Sequence, residues 1–167
     1  MPKIIVFPFR SYVHSPIGTI EIQATQTHIH RVVFIESDEQ VKQSVSNELT
    51  TLCENQLSAY FAGSLKKFDL PTRQEGSEFM LEVLESVKKI PYGNTKTYSE
   101  IAKQAGDENL TRAVGSANGK NKLAIIVPCH RVIGSNGKLT GYAWGVQRKQ
   151  WLIDHEAKTN NTFSKLF

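Results

Sequence analysis

The stretch Ile125-Ile126-Val127-Pro128-Cys129-His130-Arg131-Val132 sets a thiol and an imidazole at the end of a run of β-branched residues. Such a run fits a buried strand, and Pro128, which has no N–H to give, stops its hydrogen-bond ladder. The expectation is a strand that delivers Cys129 at its end. Sulfur attacks as thiolate, and a partly buried cysteine beside a proton acceptor can be held near that state, although an unperturbed thiol has a pKa of about 8.5. His130 is the nearest acceptor in sequence. On extended chain, however, neighbours point to opposite sides, so contact between the two needs a turn or a bridging water. By themselves the two residues fit either a nucleophile with its base or a small buried hydrophobe with a histidine next to it.

Upstream of this stretch the pattern is helical. Phe79, Met80, Val83, Leu84, Val87 and Ile90 mark one helix, ended by Pro91-Tyr92-Gly93. Thr97-Tyr98-Ser99-Glu100 has capping-box form and opens a short helix through Ile101, Ala102 and Ala105 that closes at Gly106. Another helix is expected from about Leu110 to Gly119, and two short helices across so brief a link resemble a helix-turn-helix unit. In the second of them Leu110, Ala113, Val114 and Ala117 share one face, while Arg112, Gly115, Ser116 and Gly119 share the other. Glycine in an exposed helix costs about 1 kcal/mol relative to alanine, so close approach of the helix backbone to another surface explains two of them better than local stability does. That surface is either a DNA groove or a neighbouring helix of the same protein.

Downstream, Ile133-Gly134-Ser135-Asn136-Gly137-Lys138 carries a turn signal, and Gly141-Tyr142-Ala143-Trp144-Gly145 reads as a loop. A last helix, about Val146 to Glu156, aligns Lys149, Ile153 and Glu156 along one side, and Thr159 to Phe167 reads as a loosely held tail.

The first half reads differently. Ile4-Ile5-Val6-Phe7, a turn at Ser15-Pro16-Ile17-Gly18, then Thr19 to Ala24 and Ile29 to Ile35 suggest an antiparallel meander. Ser37-Asp38-Glu39-Gln40 has capping-box form, and Val41, Val45, Leu49, Leu52, Leu57, Tyr60 and Phe61 follow at helical spacing, with Cys53 in the same apolar stripe. Leu65 to Glu75 reads as a connecting segment. His28 and His30 alternate onto one face; solvated strand histidines account for them better than a metal site, and His14 likewise has no metal assigned.

Composition bounds the rest. The chain has 167 residues, 40% hydrophobic and 22% charged, enough for one domain or two small ones. No apolar run approaches a membrane span, and Met1-Pro2-Lys3 leads into a strand pattern, so a soluble cytoplasmic protein, bacterial in type, is expected. Cys53 and Cys129 lie too far apart in sequence to suggest a disulfide framework. Residues 1–75 hold 7 Lys+Arg against 8 Asp+Glu, residues 76–167 hold 13 against 8, and the chain carries +4 overall. The half with Cys129 is the basic half, which suits a polyanionic partner such as DNA.

Pro128-Cys129-His130-Arg131-Val132, preceded by Arg112-Ala113-Val114-Gly115 and Asn121 and followed by Gly141-Tyr142 and the Lys149 helix, closely resembles the O6-alkylguanine-DNA alkyltransferases. The likeness covers about residues 77–157. It implies an α+β fold: an N-terminal ribonuclease-H-like domain over 1–75, a mostly helical C-terminal domain with a winged-helix-like helix-turn-helix over 76–157, and a tail over 158–167. It also implies direct repair, in which a flipped O6-alkylguanine, or O4-alkylthymine, gives its alkyl group once and irreversibly to Cys129. His130, through a water, and Glu156 match the relay that draws off the thiol proton, and Asn121 matches its brace. Tyr98 matches the residue that helps rotate the target phosphate and gives a proton toward guanine N3, and Arg112 matches the finger that fills the vacated stack. Thr97, Tyr98, Ala113, Gly115, Ser116 and Gly119 are expected against the minor groove of duplex DNA. Val127, Pro128, Tyr142, Ala143, Trp144 and Lys149 are expected to wall or support the base pocket.

No cofactor or metal is implied, and a monomer is expected. The sequence departs from the family pattern at Lys122, where proline usually follows the asparagine, and at Trp144, where the first glycine of a Tyr-x-Gly-Gly loop often stands. A bulky indole there should narrow the pocket. Two rival readings are a non-catalytic protein that recognises alkylated DNA, against which Cys129 argues, and a thiol hydrolase or redox enzyme that turns over repeatedly.

Overall fold

The structure is a computed structural model and describes residues 6–161. The chain divides into two compact units, one running through Gln74 and the other from Glu75 onward.

In the first unit, β1 (Phe9–Ser15), β2 (Gly18–Ala24) and β3 (Ile29–Phe34) form an antiparallel sheet in that order. Gly18, at φ 125°, makes the tight return that pairs Ser15 with itself and Val13 with Ile20. Ile20, Ile22, Ala24, Ile29 and Val32 are fully buried, and α1 (Glu48–Phe61) packs Cys53, Leu57 and Tyr60 inward against the sheet. Thr72 bridges to Ile29, so the segment expected to connect the halves joins the sheet edge at that point.

Two expectations shift here. The first strand is Phe9–Ser15; Val6 and Phe7 precede it, and Ile4 and Ile5 lie outside the described residues. The helix starts at Glu48, since Ser37 caps only a single 3-10 turn, Asp38–Gln40. Val45 then exchanges backbone hydrogen bonds of 2.9 Å with Arg10, leaving Val41 and Val45 exposed, and Leu52 on α1 is exposed as well. The reason is local: Asn47 forms a complete capping box with Thr50, and β-branched Val41 and Val45 favour the extended chain before it.

In the second unit, α2 (Glu78–Lys88), α3 (Tyr98–Gln104) and α4 (Thr111–Gly119) pack on one another. The Thr97–Glu100 capping box forms as expected, which sets Tyr98 as the first residue of α3, and Gly106 follows that helix at φ 103°. Val114 and Ala117 face the core, but Ala113 is exposed, and buried Asn118 takes the inward position instead. Two-residue strands β4 (Lys96–Thr97) and β5 (Val132–Ile133) pair in parallel. Helix α5 runs Val146–Asn161, past the expected end near Glu156, and Thr159 bonds Tyr92 and the His155 carbonyl; the rest of the expected tail, 162–167, lies outside the described residues. No helix among the described residues is long and apolar enough to cross a membrane.

The largest departure from expectation is at residues 125–132. Ile125-Ile126-Val127 is no strand: Ile125 has φ 71°, Val127 N–H returns to the Leu123 carbonyl at 2.9 Å, and Cys129–Arg131 is a 3-10 turn. Buried backbone needs partners, and the Asn121 side chain supplies them where a sheet neighbour would. Its amide nitrogen donates to the carbonyls of Leu123 and Val127, and its Oδ1 accepts from Leu123 N–H.

Candidate active site

Cys129 opens the 3-10 turn that follows Pro128. At three residues per turn, Cys129 and His130 are rotated by a third of a circle instead of pointing to opposite sides. Cys129 is 2% exposed, yet its surroundings are polar. Asn121 Nδ2 donates to its sulfur at 3.3 Å, and Asn118 Nδ2 donates to its carbonyl at 3.1 Å. The same asparagine that bends the chain therefore holds the thiol.

His130 is fully buried, and its Nε2 lies 2.6 Å from Glu156 Oε2. Arg131 closes the group from the other side: Nε donates to Glu156 Oε1 at 2.7 Å, one terminal nitrogen to Oε2 at 3.1 Å, and the other to the Ile90 carbonyl at 2.7 Å. Gly93 N–H adds a bond of 3.2 Å to Glu156 Oε1. Burial alone would raise the Glu156 carboxyl, but hydrogen bonds from His130 and Arg131, together with the Arg131 charge, reverse this and hold it well below the usual carboxylate range. Glu156 is thus an anion that must accept, so His130 Nε2 carries the hydrogen. Burial in turn lowers the imidazole's pKa, against the pull of Glu156, and the resting ring is neutral. Its Nδ1 is then a lone-pair nitrogen, buried and without a partner among the described residues.

Burial pushes the Cys129 thiol up to about 11, partly opposed by the Asn121 hydrogen bond and the Lys149 charge. The resting sulfur is therefore a thiol, a correction to the expectation of a partly buried cysteine held near the thiolate. A neutral imidazole with a free Nδ1 lone pair is the next residue in the chain.

Lys149 on α5 is fully buried, and burial lowers its pKa to about 8. Its Nζ donates to Tyr98 Oη at 3.3 Å and to the carbonyls of Thr140 and Gly141 at 3.2 Å each, while Tyr98 Oη donates to Thr140 O at 3.0 Å. Lysine and tyrosine together tie the base of the 141–145 loop to α3. Along that loop Tyr142 and Trp144 meet edge to face with ring centroids 5.3 Å apart, Ala143 is exposed, and the Tyr142 hydroxyl is buried without a partner among the described residues. Val127 and Pro128 are buried beside Cys129. Buried along α5 are Lys149, Leu152 and Glu156, with Ile153 only partly so.

Arg112, Ala113, Ser116 and Gly119 are exposed on α4, and Thr97 and Gly115 are half-buried. A side chain added at Gly119 would meet nothing within 4 Å, and one at Gly115 would make only ordinary contact with the Tyr98 ring at 3.9 Å. Tight packing inside the protein therefore does not explain these glycines. Asn118 and Arg131 join the cluster without having been singled out from sequence. A polar residue on the buried face of a helix and a charge between apolar neighbours were the available signals.

The match to known proteins runs the length of this arrangement. Residues 9–74 match the family model for the ribonuclease-like domain of 6-O-methylguanine DNA methyltransferase, and residues 78–158 match its DNA binding domain. The chain belongs to the 6-O-methylguanine DNA methyltransferase family. Within it, a methylated-DNA–protein-cysteine methyltransferase of Methanosarcina acetivorans is 47% identical over 146 residues, spanning 85% of this chain and 94% of the relative. A crystal structure of Mycobacterium tuberculosis O6-methylguanine methyltransferase covers 90% of this chain and 94% of its own at 39% identity and a TM-score of 0.79. The M. tuberculosis protein in complex with DNA superposes with a TM-score of 0.81 at 40% identity, over 89% of this chain and 92% of that one. As a member of this methyltransferase family, the chain is a DNA-binding repair protein with an α+β fold.

Proposed function

We propose that this protein, acting as a monomer, removes the alkyl group from O6 of guanine in duplex DNA by taking it onto Cys129. The observation that carries this reading is the single buried group formed by a neutral thiol, an amide donor from Asn121, a neutral imidazole and an ionised Glu156. Displacement at an unactivated alkyl carbon needs a soft nucleophile, and sulfur becomes one once His130 takes its proton through a bridging water. The sulfur–carbon bond forms as the carbon–O6 bond breaks, and the electron pair passes into the guanine ring. Glu156 stabilises the imidazolium that results, and Arg131 keeps Glu156 ionised. Asn121 stabilises the thiolate by hydrogen bond and Lys149 by charge.

Burial raises the Tyr98 phenol, so it keeps its proton, which it gives here to Thr140 O while accepting from Lys149. Exchanging that carbonyl for guanine N3 would let Tyr98 offset the charge left on the departing base. The product is a thioether that nothing in the site can hydrolyse, and each molecule acts once. O4-alkylthymine offers the same kind of alkyl carbon and is the second substrate to try.

Extruding the base costs a few kcal/mol, which Arg112 in the vacated stack and an aromatic pocket at Tyr142 and Trp144 offset. The exposed, nearly bare face of α4 suits close approach to the minor groove, with Thr97, Tyr98, Ala113, Gly115, Ser116 and Gly119 on the DNA side. The test is to incubate the protein with a duplex containing O6-methylguanine and map its peptides by mass spectrometry. One methyl group on Cys129 with guanine restored is the expected result. Lesion binding without transfer would replace this reading with that of a non-catalytic recognition protein.

A further inference from the structure

Asn118 lies on the inward side of α4 at 5% exposure, with its amide nitrogen 3.1 Å from the Cys129 carbonyl. That contact fixes which way the amide points, because the reverse orientation would set two oxygens against each other. Its Oδ1 is consequently a buried acceptor, and no donor among the described residues reaches it. His130 Nδ1 and Tyr142 Oη, beside the same thiol, share this condition. Natural proteins leave few acceptors unpaired at such depth, and one set next to a reacting atom points to a ligand that supplies the donor. The Asn118 amide also reaches toward Tyr98: burial raises that phenol, and Asn118 is among the groups that draw it back.

O6-alkylguanine carries one N–H donor on the edge that bears the alkylated oxygen. This is the 2-amino group, two ring positions from C6, because N1 has no hydrogen once O6 is alkylated. A base whose alkyl carbon meets Cys129 Sγ brings that amine alongside the Cys129 backbone, where Asn118 Oδ1 waits unpaired. Resting on the alkyl-transfer reading above, we infer that Asn118 Oδ1 accepts a hydrogen bond from the guanine 2-amino group and so selects the base. O4-alkylthymine has no N–H on this edge and gains nothing from it.

The test compares single-turnover methyl transfer from duplexes carrying O6-methylguanine or O6-methylhypoxanthine, which differ only in the 2-amino group. The wild-type protein should repair the guanine lesion about tenfold faster. Asn118→Leu removes the brace on the Cys129 carbonyl as well as the acceptor, so transfer from both bases should slow, but the guanine rate should fall about tenfold further than the hypoxanthine rate, so that the preference disappears. Equal slowing on both bases, or no preference in the wild type, overturns the assignment and leaves Asn118 as a brace for the Cys129 carbonyl alone. Asn118→Ala, compared on the same two bases, serves if the leucine variant does not fold. Transfer from neither base by the wild type overturns the alkyl-transfer reading and this assignment with it.

Discussion

Cys53 and Cys129 are both free thiols shut off from solvent, and burial raises both, to about 12 and about 11. Depth alone does not distinguish them. Cys53 sits on α1 among Leu57 and Tyr60, and the charge acting on it, Glu54, makes ionisation harder still. Cys129 has an amide donor at 3.3 Å, a buried lysine whose charge favours the thiolate, and a neutral imidazole next in the chain. The contrast teaches that burial sets a thiol neutral and inert, and that polar neighbours able to take its proton make it usable. Cys129→Ser should abolish methyl transfer while the protein still binds lesion DNA. Cys53→Ser should leave the rate per folded molecule unchanged and lower stability by roughly 1–3 kcal/mol, because it sets a hydroxyl in an apolar stripe. Transfer rates and urea melts on the two variants check this directly.

The same contrast extends to charge. In the first unit Arg10 meets Glu21 at 3.5 Å on a partly exposed sheet face, whereas in the second Arg131 and His130 hold Glu156 in the interior. Glu156→Gln leaves Arg131 uncompensated and His130 without its anion. It should slow transfer by about 10²–10⁴ and cost roughly 3–5 kcal/mol of stability. Glu21→Gln should change neither by much. The pH profile sharpens the point. Burial lowers His130 from the ordinary imidazole value of 6.5, so the base stays neutral as pH falls to that value and loses its lone pair only below it. The transfer rate should accordingly stay level down to pH 6.5 and then fall; a drop that begins near neutrality would mean a different group takes the proton.

Trp144 offers a smaller effect of a different kind. It packs edge-on to Tyr142 and its carbonyl accepts from Arg148 at 3.1 Å, so the indole occupies space that a glycine would leave open. Trp144→Gly should speed reaction with O6-benzylguanine by about tenfold and change methyl transfer little. An unchanged benzyl rate would show that the indole does not bound the pocket.

How much of this was legible follows the range of the forces involved. Both helices of the helix-turn-helix pair, the Thr97 capping box and the turn at Gly18 could be read locally, because each depends on residues within a few positions of one another. The stretch at Ile125 could not. Its composition favours a strand, and only the side chain of Asn121, reaching across to Val127, bends it into a turn. Ser37 misled in the opposite way: it does accept from Glu39 N–H, but it starts one 3-10 turn, and the competing cap at Asn47 begins the helix. Arg131 and Asn118 were hidden because their partners lie 41 and 11 residues away in sequence, at the Ile90 and Cys129 carbonyls.

The smallest predicted effect separates stability from placement. Asn47 and Thr97 form the same reciprocal cap, with Thr50 and Glu100 respectively, and replacing either by alanine should cost about 1 kcal/mol. In α1 that loss has no further consequence, since the helix carries no side chain of the proposed reaction, and Asn47→Ala should melt earlier yet transfer methyl at the wild-type rate. In α3 the residue after the cap is Tyr98, whose hydroxyl must keep within reach of Thr140 O and Lys149 Nζ. Loosening the first turn there displaces the phenol as well as destabilising the helix. Thr97→Ala should therefore show the same loss on melting together with a several-fold slower transfer, recovered with Thr97→Ser, whose hydroxyl can make the same cap. If both alanine variants repaired at the wild-type rate, the position of Tyr98 would not depend on its cap, and its tie to Lys149 would be sufficient to hold it.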